Sequence, residues 1–184
     1  METTVIETPR GPLTLRPIQE HEAAALRTLR LEALSDTPEA FGADYAQSAA
    51  LPPEHWQQRA RAGQGNEGQV LFVAEHRDAL VGMAGVYLPD NPKSQHMGVL
   101  WGVYVQPGWR GLGLGVALSA ACIGWAKAQG AVRVKLGVVT TNQAARRAYE
   151  KLGFVSYGVE PEAFWVNERY YDLMRMTLDL RPEA

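Results

Sequence analysis

The chain has 184 residues, 46% of them hydrophobic and 21% charged, the profile of one globular domain with a sizeable core and little room for a second. Eighteen Lys and Arg against 20 Asp and Glu give a formal net charge of −2. Without the positive field on which general phosphate-backbone binding rests, nucleic acid is not expected as a general partner, a local basic stripe aside. The one cysteine, Cys122, has no internal disulfide partner, and no Cys/His cluster has zinc-ligand spacing. Both point to a reducing compartment, by default the cytoplasm, and to a site without a metal.

Met1 to Arg10 carries Glu2 and Glu7 and lacks a basic region followed by an apolar run, so it reads as a loose tail rather than a secretory signal. The domain proper is expected over 11–182. Leu13 and Leu15 alternate with Thr14 and Arg16, a short strand signal. Gln19 to Leu34 then carries Leu26, Leu29 and Ala33 at helical spacing. Thr37 to Gly42 breaks that helix, Pro52-Pro53 opens another through Trp56 to Arg61, and Gly63 to Gly68 is a turn.

Val70 to Glu75, Leu80 to Leu88 and Gly98 to Val105 are rich in β-branched and aromatic residues and are separated by short polar connections, which predicts three antiparallel strands. The longest stretch without a formal charge, Gly111 to Ala126, is sixteen residues with four glycines. It is too short for a bilayer and fits a core helix over about 113–129, stopped by Gly130. A strand from Val132 to Val139 follows, then a helix with Asn142 as N-cap and Ala145, Ala148, Tyr149 and Leu152 on one face, ended by Gly153. Phe154 to Val159 and Tyr170 to Leu180 close the chain as strands joined by a loop holding Pro161, Phe164 and Trp165. The order of elements predicts an α+β or mixed α/β domain.

Three features carry candidate chemistry. Glycines 111, 113 and 115 lie where a strand turns into a helix, so backbone N–H groups could converge on a pyrophosphate, helped by the positive helix N-terminus. The same glycines would also serve a helix that packs close to the sheet. No Gly-Lys-Ser/Thr follows, and the preceding strands are antiparallel, so neither a Walker loop nor a dinucleotide-binding Rossmann unit fits. Gly102, inside a strong strand, signals a bulge that would free the amides of Val103 and Val105 to polarise a carbonyl, worth about 3 kcal/mol per donor, or else a packing glycine beneath Trp101 or Trp109. Tyr149, on the inward face of its helix, is a proton donor at neutral pH and competent to protonate a leaving thiolate, or else an amphipathic core tyrosine.

Together, Arg110-x-x-Gly113-x-Gly115 after Val-Tyr-Val, then Asn142 and, seven residues on, Tyr149 in Tyr-Glu-Lys-Leu-Gly-Phe, resemble the GNAT superfamily of acetyl-CoA-dependent N-acetyltransferases. The motifs span Leu100 to Phe154, and the order of elements from Leu13 to Leu180 also fits. The resemblance implies a mixed central sheet of six to seven strands flanked by four helices. It implies that Val103, Tyr104 and Val105 lie along the pantetheine of acetyl-CoA, that Arg110, Gly111, Leu112, Gly113, Leu114, Gly115 and Val116 wrap its pyrophosphate, and that Asn142 contacts it. Tyr149 is then the general acid in a direct attack by a primary amine, with no covalent acyl-enzyme, which leaves Cys122 as a small core residue.

One departure concerns the general base. Many family members carry a glutamate on the fourth strand, whereas Gln95 to Val105 holds no carboxylate. His96, a water chain, Glu75 or Glu160 are the substitutes, and His21, His55 and His76 have no ligand spacing. The acceptor, a small molecule, peptide or protein amine, is expected near Phe41, Tyr45, Phe164, Trp165, Tyr170 and Tyr171, with Glu39, Asp44, Glu160 and Glu162 available to attract a cation. The alternative is that these aromatics close the core and these acids are solvated. Homodimers are common in the superfamily, but no self-complementary surface is legible. The competing functional reading is a coenzyme-binding sensor or interaction module without turnover.

Overall fold

A computed structural model of the chain describes residues 3–181 and builds them around one eight-stranded sheet. The strands are β1 (Thr4–Ile6), β2 (Leu13–Pro17), β3 (Gln69–His76), β4 (Ala79–Tyr87), β5 (Met97–Val105), β6 (Arg133–Val139), β7 (Val155–Val166) and β8 (Arg169–Asp179). Their spatial order is β1-β2-β3-β4-β5-β6-β8-β7. All neighbours are antiparallel except β5 and β6, which run parallel because a helix crosses between them. The helices are α1 (Ala23–Asp36), α2 (Tyr45–Ala49), α3 (Pro53–Ala62), α4 (Leu114–Ala128) and α5 (Gln143–Lys151).

Both faces of the central strands are covered, which is why the β3 sequence is a continuous apolar run rather than an alternation. Val70 and Phe72 join one core with Leu114, Leu118, Cys122 and Trp125 of α4. The intervening Leu71 and Val73 join a second core with Leu26, Leu29 and Leu34 of α1 and Trp56 of α3. The spacing of four between Leu114, Leu118, Cys122 and Ala126 puts them on one stripe of α4, all fully or nearly fully buried.

The mixed α/β class stands, with four corrections of detail. The sheet has eight strands rather than six to seven. Thr4–Ile6, assigned to a loose tail, pair with Leu13–Leu15 and add an edge strand. Residues 1, 2 and 182, the outer ends of the expected tail and domain, lie outside the described residues. A fifth helix, α2, is a single capped turn, its first amides held by Asp44, whose Oδ1 accepts from the Gln47 N–H at 2.8 Å. Pro161, Phe164 and Trp165 lie in β7 itself rather than in a loop. An edge strand tolerates proline where its pairing is interrupted, and the β7–β8 register shifts between Glu160 and Phe164.

Gly85 of β4 faces Trp101 of β5, and a Cβ there would lie 2.4 Å from the indole ring. Gly85→Ala is therefore expected to cost about 1–3 kcal/mol in chemical denaturation, by overpacking. An unchanged midpoint would mean that the indole swings aside without cost.

Candidate active site

The site begins where two strands part. β5 and β6 pair only from Met97↔Arg133 to Val99↔Lys135, so from Leu100 to Val105 the β6 side of β5 has no ladder. The cause is visible on the other edge. Gly85 pairs with Trp101 and Met83 with Tyr104, so β5 takes three steps where β4 takes two, and Gly102 and Val103 have no partner position. Gly102 sits in the left-handed region at φ +66°, which a side chain would strain. This is the bulge that the glycine signalled, and it turns β5 away from its parallel neighbour.

The parted strands enclose a cleft of ≈ 70 Å³, about the share of two waters, lined by Gly102 and Val103 on one side and Leu136 and Val138 on the other. Tyr149 of α5 and Asn142, which caps that helix, also line it. Tyr149 is nearly buried, with its ring edge-on to Phe154 at 5.8 Å between centroids. Burial, and then the neighbouring Cys122, push its hydroxyl above the ordinary phenol range, so it holds its proton throughout neutral pH. Gly153, at φ +89°, closes α5 and lets the Phe154 N–H return to the Tyr149 carbonyl at 3.0 Å. Asn142 caps the same helix, its Oδ1 accepting from the Ala145 N–H at 3.0 Å. Two capping contacts thus orient the tyrosine.

The glycine turn lies past the wide end of the cleft. Gly111 and Gly113 are left-handed at φ +79° and +77°, and a Cβ built on either would meet nothing within 4 Å. Close packing on the sheet therefore does not explain these two glycines. Gly113 is the N-cap of α4, and the first bond returning to it comes from the Ala117 N–H at 3.0 Å. The amides of the preceding first turn of α4, at Leu114, Gly115 and Val116, have no intrahelical acceptor, as at any helix start. An open notch lined by main-chain donors at a helix N-terminus fits a diphosphate.

Arg110 and Tyr104 direct their side chains to α1, and Cys122 lies in the core as expected. Arg110 is turned from the notch: its Nε donates to the Val105 carbonyl at 3.0 Å and its Nη2 pairs with Asp36 of α1. Tyr104 sends its side chain to the α1 face, where its hydroxyl donates to Glu32 at 3.3 Å and Asp36 at 3.4 Å. Cys122 is fully buried, donates to the Ala84 carbonyl at 3.3 Å, and burial raises its thiol far above the ordinary value. It is a core residue.

Each side-chain candidate for the base is remote or occupied. Glu75 accepts from Arg16 at 2.6 Å in a cluster with Glu22 at the β2–β3 edge, and Glu160 is paired with Arg175. His96 is exposed and lies six residues before Gly102, about 20 Å along an extended strand. Of the acceptor-side aromatics, Phe41 is buried against Tyr104 and lines the cleft, and Phe164 packs on Gly42. Trp165 and Tyr170 stack on each other in the exposed β7–β8 hairpin, 4.4 Å between centroids.

Sequence reasoning missed Arg30. It follows Leu26 and Leu29 and precedes Ala33 and Leu34, so it falls on the buried stripe of α1, and the helical period alone would have placed it there. Its guanidinium stacks over Phe41 at 4.6 Å, its Nη1 has no hydrogen-bond partner, and that atom would be 3.6 Å from a Cβ on Gly102. Burial, then repulsion from Arg59, lowers its pKa to about 10.

A sequence model of the acetyltransferase (GNAT) family matches residues 28–154. The mycothiol acetyltransferase of Thermobispora bispora is 36% identical over 92 residues, 49% of this chain and 31% of the relative. An uncharacterised N-acetyltransferase of Mycobacterium tuberculosis is 35% identical over 86 residues, 47% of this chain and 53% of the relative. The matches thus span about a third to a half of these relatives. Among solved structures, the GNAT-family acetyltransferase of Streptococcus pneumoniae has a TM-score of 0.82 at 25% identity, covering 92% of this chain and 99% of its own. The yncA protein of Salmonella typhimurium, solved with acetyl-CoA, has a TM-score of 0.81 at 24% identity, covering 94% and 96%, and at that identity the likeness is one of fold. The family match contains the bulge at Gly102, the glycine turn and Tyr149, and by it the chain belongs to the GNAT acetyltransferase family.

Proposed function

We propose that the chain moves an acetyl group from acetyl-CoA to a primary amine by direct attack, with Tyr149 as general acid. The observation that carries this reading is a protonated, caged tyrosine lining a cleft between parted strands, with an open glycine notch beyond the cleft's wide end. Acetyl-CoA supplies the acetyl group as a thioester.

The main-chain amides at Gly111, Leu112, Gly113, Leu114, Gly115 and Val116 are the ones to hold its diphosphate, and Val103 to Val105 offer main-chain groups on an unladdered strand side to its arm. Asn142 contributes its amide nitrogen, since its oxygen is committed to the helix cap. Holding both reactants in one narrow cleft removes much of the entropic barrier.

In the transfer, the amine nitrogen forms the new C–N bond as the C–S bond breaks. The Tyr149 proton goes to sulfur, and the proton that the amine sheds goes to solvent and restores the phenol. A cytoplasmic setting suits this chemistry. Among the described residues no helix is long and apolar enough to cross a membrane. The identity of the acceptor is to be read from thiol release against amino acids, polyamines, aminoglycosides and peptide N-termini. Thiol release with none of them, alongside normal coenzyme binding, would turn the reading to a coenzyme sensor.

Tyr149→Phe is expected to lower kcat by about a hundredfold or more with acetyl-CoA affinity nearly unchanged. An equal loss of affinity would make the residue a packing one. Because the Tyr149 pKa is raised above its ordinary value of 10.0, kcat should show no alkaline fall below about pH 10. The only limb expected at neutral pH is a rise of kcat/KM with pH as the acceptor ammonium loses its proton. A descending limb near pH 8 would contradict a buried phenol as the acid.

Gly113→Val should weaken acetyl-CoA by more than a hundredfold in calorimetry. Gly130→Val is the control, because Gly130 is also left-handed (φ +88°) with nothing near its Cβ, but stands beyond the other end of α4. Both should lose about 1–2 kcal/mol of stability to backbone strain. Equal affinity in the two variants would remove the notch from the site.

A further inference from the structure

Arg30 poses an energetic problem that the transfer chemistry leaves unsolved. The residue is 8% exposed, and Nη1 is a buried donor without an acceptor. Among the described residues neither Arg30 nor Arg59 makes an ion pair. The α1 carboxylates nearest in sequence are committed elsewhere, Glu32 to Gln106 and Tyr104, and Asp36 to Arg110. Burying a guanidinium with no counter-charge is costly, and Arg59, whose pKa burial also lowers, adds like-charge repulsion. Stacking on Phe41 at 4.6 Å for Arg30, and on Trp101 at 4.5 Å for Arg59, offsets only part of that cost.

The two cations stand at one place. Phe41 under Arg30, and Gly102 beside it, both line the cleft, and Gly102 has no side chain to stand between its own stretch of wall and the guanidinium. On the α3 side Arg59 lines a second cavity, ≈ 410 Å³, whose wall includes Trp101, and Trp101 lines the cleft as well. A ligand at the Trp101 edge would have Arg30 behind the bulge at Gly102 and Arg59 in the wall of the second cavity.

We propose that the acceptor is a small primary amine that carries an oxyanion, a carboxylate or phosphonate, bound by Arg30 and Arg59 while its amine lies in the cleft. The proposal rests on the acetyl-transfer reading and gives its acceptor a charge opposite to the cation that the surface acids suggested. Arg30 offers a planar fork of donors, the geometry that matches a carboxylate or phosphonate edge. Neutralising the pair on binding would make the unpaired cations a standing cost of the free protein, released by the correct acceptor and by no neutral amine.

The test uses the full chain with coenzyme A present and three matched sets of amines: amino acids, their carboxamides, and aminoalkylphosphonates, with polyamines as cationic comparators. Calorimetry reads binding and thiol release reads turnover. The acids or the phosphonates should bind at least tenfold tighter than the carboxamides, and which of the two wins identifies the oxyanion. In Arg30→Met that preference should vanish through the acceptor KM while the acetyl-CoA KM holds, and the melting temperature should rise by about 3 °C as an unpaired buried charge is removed.

Arg59→Gln, at a less buried position, should weaken the same preference at least threefold if Arg30→Met fails to fold. Carboxamides or polyamines matching the acids, or a preference that survives both substitutions, would overturn the oxyanion site. Turnover confined to neutral or cationic amines would overturn it while leaving acetyl transfer intact. Arginine-dependent binding of acids without turnover would keep the site and sink acetyl transfer. Neither binding nor turnover would sink both.

Discussion

A single extra residue in β5 controls the geometry of this protein. Because β5 takes three steps where β4 takes two, the left-handed Gly102 swings the strand out of register, and the parallel ladder to β6 ends at Val99. Everything chemical follows from that parting. The gap exposes main-chain groups in a place where a continuous sheet would have consumed them, and α5 fills its back with Tyr149 instead of an aliphatic side chain. Flat pairing along the whole of β5 would give a more stable sheet and no cleft, so the bulge is a local sacrifice of hydrogen bonds that opens one.

The two helices that flank the parting have separate tasks. α4 presents an uncommitted N-terminus behind two glycines whose missing side chains leave open space, and it anchors that turn through a deeply buried stripe from Leu114 to Ala126. A rigid helix behind a bare turn is a suitable receiver for a diphosphate, since the donors are pre-oriented and cost little to order on binding. α5 is short and amphipathic, and its caps at Asn142 and Gly153 fix the direction of one phenol. The rest of its outward surface, including Arg147 and Glu150, is exposed.

Charge is distributed unevenly across the two faces of the sheet. On the α1 side, carboxylates and arginines interlock around Tyr104, Gln106 and Arg110, a network that ties α1 to the end of β5. Directly beside this satisfied network stand Arg30 and Arg59, which it leaves unpaired. The chain pairs Arg16 with two carboxylates at an unremarkable sheet edge, yet leaves a deeper arginine beside Gly102 without any.

Much of this was legible in the residues taken one after another. Period-two and helical patterns located β2 to β6 and α1, α3, α4 and α5, because burial on one or two faces writes itself into local spacing. Gly102, the glycines at 111 and 113, and Tyr149 were legible for a related reason: an unusual backbone or a polar group on an apolar face stands out against its neighbours. Tertiary structure alone decided the pairing of Thr4–Ile6, the course of β7 through Pro161, the diversion of Arg110 to Asp36, and the unpaired state of Arg30. Each of these depends on which distant group arrives opposite, and a lone sequence encodes what a residue needs locally, not which partner the fold delivers or withholds.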